Sequence, residues 1–148
     1  MKRDGEGGGT GGRPYRLEEQ IGFVLRQVVQ RHAAIFAAGM DNEVTATQWA
    51  ALAKLHERGP MSQNRLGRSI AMDAATVKGV IDRLSARGLT GTRPDPDDRR
   101  RRLVALTPAG EALVRRLVPR AFAITEDTLA PLDPAAREAL AALIARLC

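Results

Sequence analysis

Apolar residues recur at steps of three and four from Leu17 to about Met40: Leu17, Ile21, Val24, Leu25, Val28, Ile35, Phe36 and Met40, with His32 on the same stripe. That spacing predicts one long amphipathic helix whose apolar face needs a partner. Thr45 can cap a second helix that turns Trp49, Leu52, Ala53 and Leu55 inward and stops at Gly59-Pro60. Two short helices follow. Ser62 caps the first, Gln63 to about Ile70, with Leu66 and Ile70 inward. Asp73 caps the second, Ala74 to Arg87, with Val77, Val80, Ile81 and Leu84 on one face and Gly88 as its stop. Two short capped helices joined through Ala71-Met72 make a helix-turn-helix pattern, whose second helix is the candidate reader of a major groove.

Beyond Gly88 the periodicity changes. Extended residues lead into a Pro-Asp turn, and Leu103-Val104-Ala105-Leu106 alternate on the far side. The pattern predicts a two-stranded hairpin whose loop carries Arg99 to Arg102. Thr107-Pro108 then restarts helix to about Leu129, with Glu111 at its positive end and an expected kink at Pro119. Asp133-Pro134 repeats the cap-and-proline device for a last helix to about Leu147. The order predicts a mainly α protein with a small β-wing. Residues 1–14, rich in glycine, read as a disordered tail, and 15–148 as a single unit.

Composition narrows the function classes. The 148 residues suffice for one domain with a real core. No apolar run is long enough to span a membrane, and the start MKRDGEGGGTGG is not a secretory signal, so a cytoplasmic location is expected. The single cysteine, Cys148, offers neither an internal disulfide nor a plausible catalytic thiol. Two histidines set apart by a whole helix give no zinc spacing, and no glycine loop of phosphate-binding form is present. An enzyme is not expected, nor a metal or cofactor.

Charge points the other way, toward a polyanion. The formal net charge is +6. Between Ser62 and Arg102 ten cations face five anions, so +5 of that surplus lies in the helix-turn-helix and the wing. Such a concentrated block is the electrostatic footprint of a nucleic-acid binder. A winged helix that binds a protein partner in place of DNA is the competing reading, and it has no need of this block.

The wing run DRRRRLVALT (Asp98 to Thr107) matches a D-x-R-x-x-x-x-x-L-T pattern, and through it the chain resembles the MarR family of winged helix-turn-helix regulators. The likeness extends through TATQWAALAKL, GPMSQNRLGRSIAMDAATVKGVIDRLSARGL and LTPAGEAL, covering about residues 17–147. More narrowly, LEEQIGFVLRQVVQRHAAIF with AMDAATVKGVIDRL is similar to the nicotinate-catabolism repressors of that family. The resemblance implies a homodimer built on helices at about 17–41 and 108–147, with a DNA-binding part at about 45–107. It also implies a repressor that leaves a pseudo-palindromic operator when a small aromatic or phenolic molecule binds. Members that sense oxidants depend on a cysteine near the first helix, and this chain has none there.

Several residues are singled out. Ser62 and Gln63 open the first helix of the pair, where free N–H groups suit phosphate. Ala75, Thr76, Lys78, Gly79 and Arg83 face outward on the second: Thr76 and Lys78 are candidates for base edges, Arg83 for phosphate. By resemblance, Arg100 is the wing-tip arginine that enters the minor groove, held by a charge-assisted hydrogen bond that it donates to Asp98. Arg93, Arg99, Arg101 and Arg102 are phosphate candidates. For the effector pocket the candidates are Arg26 (or Arg31), His32 and Trp49, and His56 reads as surface. On residue type alone, His32 and Trp49 also fit a plain structural core.

Overall fold

Secondary structure follows the caps. The computed structural model describes residues 12–148, so most of the expected disordered tail lies outside the described residues. The elements are α1 (Ile21–Gly39), α2 (Ala46–Arg58), α3 (Gln63–Ser69), α4 (Ala74–Ala86), β1 (Thr90–Pro94), β2 (Arg102–Leu106), α5 (Pro108–Leu129) and α6 (Pro134–Ala145). Each expected cap residue accepts a backbone N–H: Thr45 from Gln48, Ser62 from Arg65, Asp73 from Thr76, Thr107 from Gly110 and Asp133 from Ala136. Thr45 and Gln48 form a reciprocal capping box, and such caps contribute about 1 kcal/mol each. No helix among the described residues is long and apolar enough to cross a membrane.

The single first helix expected from Leu17 is not continuous. Leu17–Glu19 form a short 3-10 turn, and Gln20 is extended, with its side-chain amide donating to the Arg16 carbonyl. That bond stabilises the turn at the position where the long helix would have needed helical backbone. Pro119 lies inside α5, which runs from Pro108 to Leu129 as its spacing predicts.

The core joins α1's C-terminal half to the helix-turn-helix and α5. Phe36, Met40, Leu52, Leu66, Leu84 and Leu117 are buried in one cluster with Val77, Val80, Val104 and Ile124. The strands pair antiparallel, with Thr90 opposite Leu106 and Pro94 opposite Arg102. Met61 exchanges both backbone hydrogen bonds with Val104, at 3.1 and 2.8 Å. A lone two-stranded hairpin is marginal in water, and this bridge ties the wing to the segment that leads into α3.

Two long faces find no partner among the described residues. On α1, Ile21 is 67% exposed and Val29 65%; on α6, which buries no residue, Leu143 is 57% exposed. Apolar stripes of that length are the feature that a second copy would cover.

The turn between α1 and α2 is fixed to α5 by charge. Arg116 donates to both carboxylate oxygens of Glu43, at 2.7 and 2.6 Å, and Arg120 adds a 3.3 Å contact. These bonds, Arg116's first, hold the Glu43 carboxyl below its ordinary 4.5, and the charge of Arg87 adds to the effect. A depressed pKa in the folded state means that the stabilisation is complete above the unfolded value and is lost as pH falls through the folded one. In urea titrations from pH 7 down to pH 3, wild type should therefore lose its advantage over Glu43→Gln below about pH 4.5. A constant gap across that range would mean the carboxylate does not stabilise the fold.

Candidate nucleic-acid interface and effector pocket

The helix-turn-helix depends on a close approach. A Cβ on Gly67 would lie 3.0 Å from the Met72 carbonyl oxygen and 3.1 Å from Val77 Cγ1, so α3 and α4 meet where only glycine fits without shifts. Ala71 turns the chain with a φ of 54°, a left-handed conformation that costs a non-glycine residue about 1 kcal/mol. Asp73 then starts α4, and the Thr76 N–H it accepts at 2.7 Å holds its carboxyl below the ordinary value.

With Val77, Val80, Ile81 and Leu84 buried, α4 turns Ala75, Thr76, Lys78 and Arg83 outward, while Gly79 is half-buried. Lys78 pairs with Asp82 at 2.6 Å, both side chains being more than 60% exposed. An exposed pair four residues apart contributes only about 0.3–0.5 kcal/mol, so Lys78 can leave it cheaply. The Arg83 guanidinium folds back to within 3.7 Å of where a Cβ on Gly79 would stand.

The wing corrects two expectations. Asp98 does not hold the Arg100 guanidinium: its carboxylate accepts the Arg100 backbone N–H at 3.0 Å, and its carbonyl accepts the Arg101 N–H at 2.9 Å. A short Asp side chain reaches the N–H two residues on more readily than a swinging guanidinium, so Asp98 shapes the tip turn. Asp95 does the same for the Asp97 N–H. Arg102, expected in the loop, is the first residue of β2, and its guanidinium donates to Thr92 Oγ1 across the hairpin at 2.9 Å. Arg99, Arg100 and Arg101 are exposed and, among the described residues, take part in no ion pair.

A cleft of about 400 Å³ separates the start of α3 from the wing. Ser62, Arg65, Arg93, Asp95, Asp97 and Arg101 line it. Gln63 sits beside it, half-buried. Arg65 lines this cleft and Arg68 the hollow between α3 and α4, and neither was singled out from the sequence. Their signal was there, as outward positions of a helix whose Leu66 points in.

A second cavity, of about 200 Å³, lies where α1, α2 and α5 meet, and it brings His32 and Trp49 together with Phe36, Ala121, Ile124 and Thr125. Arg26 is not part of its wall. Arg31 is committed elsewhere, donating to the Thr128 and Asp127 carbonyls at the end of α5. His32 Nδ1 stands 2.9 Å from Thr128 Oγ1, whose own proton goes to the Ile124 carbonyl at 2.7 Å. A hydroxyl has one proton, so Nδ1 must carry the hydrogen, which leaves Nε2 as the ring's other polar atom. Neutral, Nε2 accepts a hydrogen bond; protonated, it donates one. The α5 residues of this wall recur at helical spacing, but nothing in the sequence said which α1 face they meet. His56, read as surface, bonds Glu111 through Nδ1 at 2.8 Å and so joins α2 to the first turn of α5.

The MarR family model matches residues 44–101, from just before α2 to the wing tip. The HTH-type transcriptional repressor NicR of Pseudomonas putida is 39% identical over 135 residues, which is 90% of this chain and 85% of NicR. A probable transcriptional regulator from Pseudomonas aeruginosa, solved as a crystal structure, is 55% identical with a TM-score of 0.84, over 90% of this chain and 100% of that one. BpsR of Bordetella bronchiseptica, whose structure is described as explaining regulation of its DNA binding by 6-hydroxynicotinic acid, is 44% identical with a TM-score of 0.86, over 91% of this chain and 97% of BpsR.

Proposed function

This chain belongs to the MarR family of transcription regulators, a premise from which we propose that it represses as a homodimer on operator DNA and lets go when an aromatic acid enters the α1–α2–α5 pocket. In this division residues 45–107 hold the DNA, while α1, α5 and α6 pair the two copies. The observation that carries the DNA reading is a contrast in pairing. Among the described residues Arg65, Arg68, Arg83, Arg93 and Arg99 to Arg101 join no ion pair and crowd on α3, α4 and the wing. Arg58, Arg115, Arg116, Arg120 and Arg137 each have a carboxylate partner, and the unpaired arginines elsewhere, Arg16, Arg26, Arg31, Arg87 and Arg146, are scattered. Cations kept free of neighbours suit a polyanion, and a winged helix that docks a protein has no use for so many.

Roles then follow from placement. The guanidinium groups at the α3–wing cleft meet phosphates. Thr76 and Lys78, with Ala75 and Gly79 opening space beside them, face base edges, and Arg100 enters the minor groove. For the ligand, His32 Nε2 supplies one polar contact, Thr125 another, and Phe36 and Trp49 the aromatic walls. A nicotinate-type acid is small enough for this cavity and flat enough to lie between its aromatic walls, and 6-hydroxynicotinate is the first compound to try, given BpsR.

The test is fluorescence anisotropy on a duplex that wild type selects from a random pool, with 6-hydroxynicotinate titrated in. Tight, salt-dependent binding reversed by the acid is expected, from a species that sediments as a dimer at micromolar concentration. Absence of salt-dependent binding would remove the DNA reading, and a monomer with intact helix content would remove the dimer.

Phosphate and base contacts separate in the same assay. Arg83→Ala should weaken selected and random duplexes alike and lower the salt slope by about 1. Lys78→Ala should reduce discrimination by roughly 1–3 kcal/mol, since its Asp82 pair costs little to break. Equal losses on both duplexes would make Lys78 a backbone contact.

A further inference from the structure

The cavity wall holds no arginine or lysine: its residues are His32, Phe36, Trp49, Ala121, Ile124 and Thr125. An aromatic carboxylate entering so apolar a space gives up water, and it needs a counter-charge to stay ionised there. Four guanidinium groups stand one chain position away from this wall or bonded to such a position, and one of them, Arg137, is held by Glu126, the neighbour of Thr125, at 2.6 Å and by the Leu132 carbonyl at 3.0 Å. Arg31, beside His32, is held by two α5 carbonyls at 2.7 and 3.0 Å. Arg87 donates to Gln48, the neighbour of Trp49, and Gln48 is itself part of the α2 capping box.

Arg120, beside Ala121, is differently placed. Its one bond among the described residues is a 3.3 Å contact to Glu43 Oε1, an oxygen that already accepts Arg116 at 2.7 Å while Arg116 takes the other oxygen at 2.6 Å. Glu43 is thus satisfied without it. At 100° per residue, Arg120 lies about 40° round α5 from Ile124, on the cavity side, and about 40° from Arg116, on the Glu43 side. The residue is half-buried, on a helix flank between the two anion positions.

We propose that Arg120 is the carboxylate-binding residue of the effector pocket, and that it turns from Glu43 to the bound acid. This rests on the pocket being a site for aromatic acids. The exchange leaves the Arg116–Glu43 pair in place but removes a cation from a cluster that also includes Arg87, the residue that ends α4. Binding in the cavity is thereby felt at the end of the recognition helix, with no contact between ligand and DNA.

Calorimetric titration of the full-length protein with 6-hydroxynicotinate and with its uncharged amide, 6-hydroxynicotinamide, tests the assignment. Wild type should prefer the acid by about tenfold or more, the value of one charge-assisted hydrogen bond. Arg120→Gln should bind the amide as wild type does and lose the preference, while Arg120→Lys keeps part of it and Arg116→Gln keeps it all. On the selected duplex, Arg120→Gln should stay bound at acid concentrations that release wild type. If Arg120→Gln still discriminates acid from amide as wild type does, the counter-charge comes from elsewhere and the assignment is wrong. If wild type binds neither this acid nor benzoate, salicylate or nicotinate, the aromatic-acid reading fails, and the assignment falls with it.

Discussion

Gly110→Ala should lower the stability of the protein by about 3 kcal/mol or more, a fall in Tm on the order of 10 °C for a chain of this size. A Cβ at Gly110 would stand 2.0 Å from the Leu89 carbonyl oxygen and 3.0 Å from its carbon. Both are backbone atoms, so no rotamer change can make room. The same carbonyl accepts the Thr107 N–H at 3.1 Å, and Thr107 Oγ1 donates to the Gly88 carbonyl at 2.6 Å while accepting the Gly110 N–H. Moving α5 away to accommodate the methyl group therefore breaks the cap of α5 and its attachment to the α4–β1 turn together. Gly91→Ala is the control, since its nearest foreign atom would be Thr107 Cγ2 at 4.0 Å. That variant should stay within about 0.5 kcal/mol of wild type. A Gly110→Ala protein melting within about 2 °C of wild type would show that the junction between wing and α5 is soft.

The same region shows how far the sequence could be read. Thr107-Pro108 announced the start of α5 because a cap and an N1 proline act locally, through atoms within three residues. All five caps were legible for that reason. Gly110 was not marked as indispensable, because the atom it must avoid belongs to Leu89, and only the packing of α5 on the α4–β1 turn brings the two together. Met61 pairing with Val104 was hidden likewise: an isolated bridge has no periodicity to betray it. The break at Gln20 escaped because the apolar spacing continues through it, and spacing cannot register one extended residue.

The site divides along the same line. Outward positions of α4 follow from its buried ones by geometry, so Ala75, Thr76, Lys78 and Arg83 could be named in advance. The pocket draws on α1, α2 and α5, whose mutual angles no local pattern encodes. His32 and Trp49 were found there on residue character and family resemblance, whereas Phe36, Ala121, Ile124 and Thr125 came with the fold. Arg26, selected by charge alone, is not among them. Charge states what a residue can bind but not where it stands.

The four consecutive arginines should prove unequal. Replacing Arg99, Arg100 and Arg101 together with alanine is expected to lower affinity for any duplex roughly a hundredfold, at about 1 kcal/mol for each guanidinium–DNA contact removed. The salt slope should become shallower by just under 3, at about 0.9 for each phosphate released. Arg102→Ala should leave the slope close to wild type and lower hairpin stability by about 0.5 kcal/mol, because its guanidinium serves Thr92 across the strands. Within the trio, Arg100→Ala should cost more on a duplex with A·T-rich flanks than on one with G·C-rich flanks, since narrow minor grooves attract an inserted guanidinium more strongly. Asp98 decides how the tip is built. If its carboxylate shapes the turn by accepting the Arg100 N–H, Asp98→Asn keeps an acceptor in place and should bind DNA as well as wild type, whereas Asp98→Ala loosens the tip and weakens flank discrimination. A guanidinium clamp would instead make both substitutions equally harmful. Anisotropy on the two duplexes at several salt concentrations separates these outcomes. Equal slope losses for Arg102→Ala and for each member of the trio would leave the wing as an undifferentiated cationic pad, with no arginine assigned to the groove.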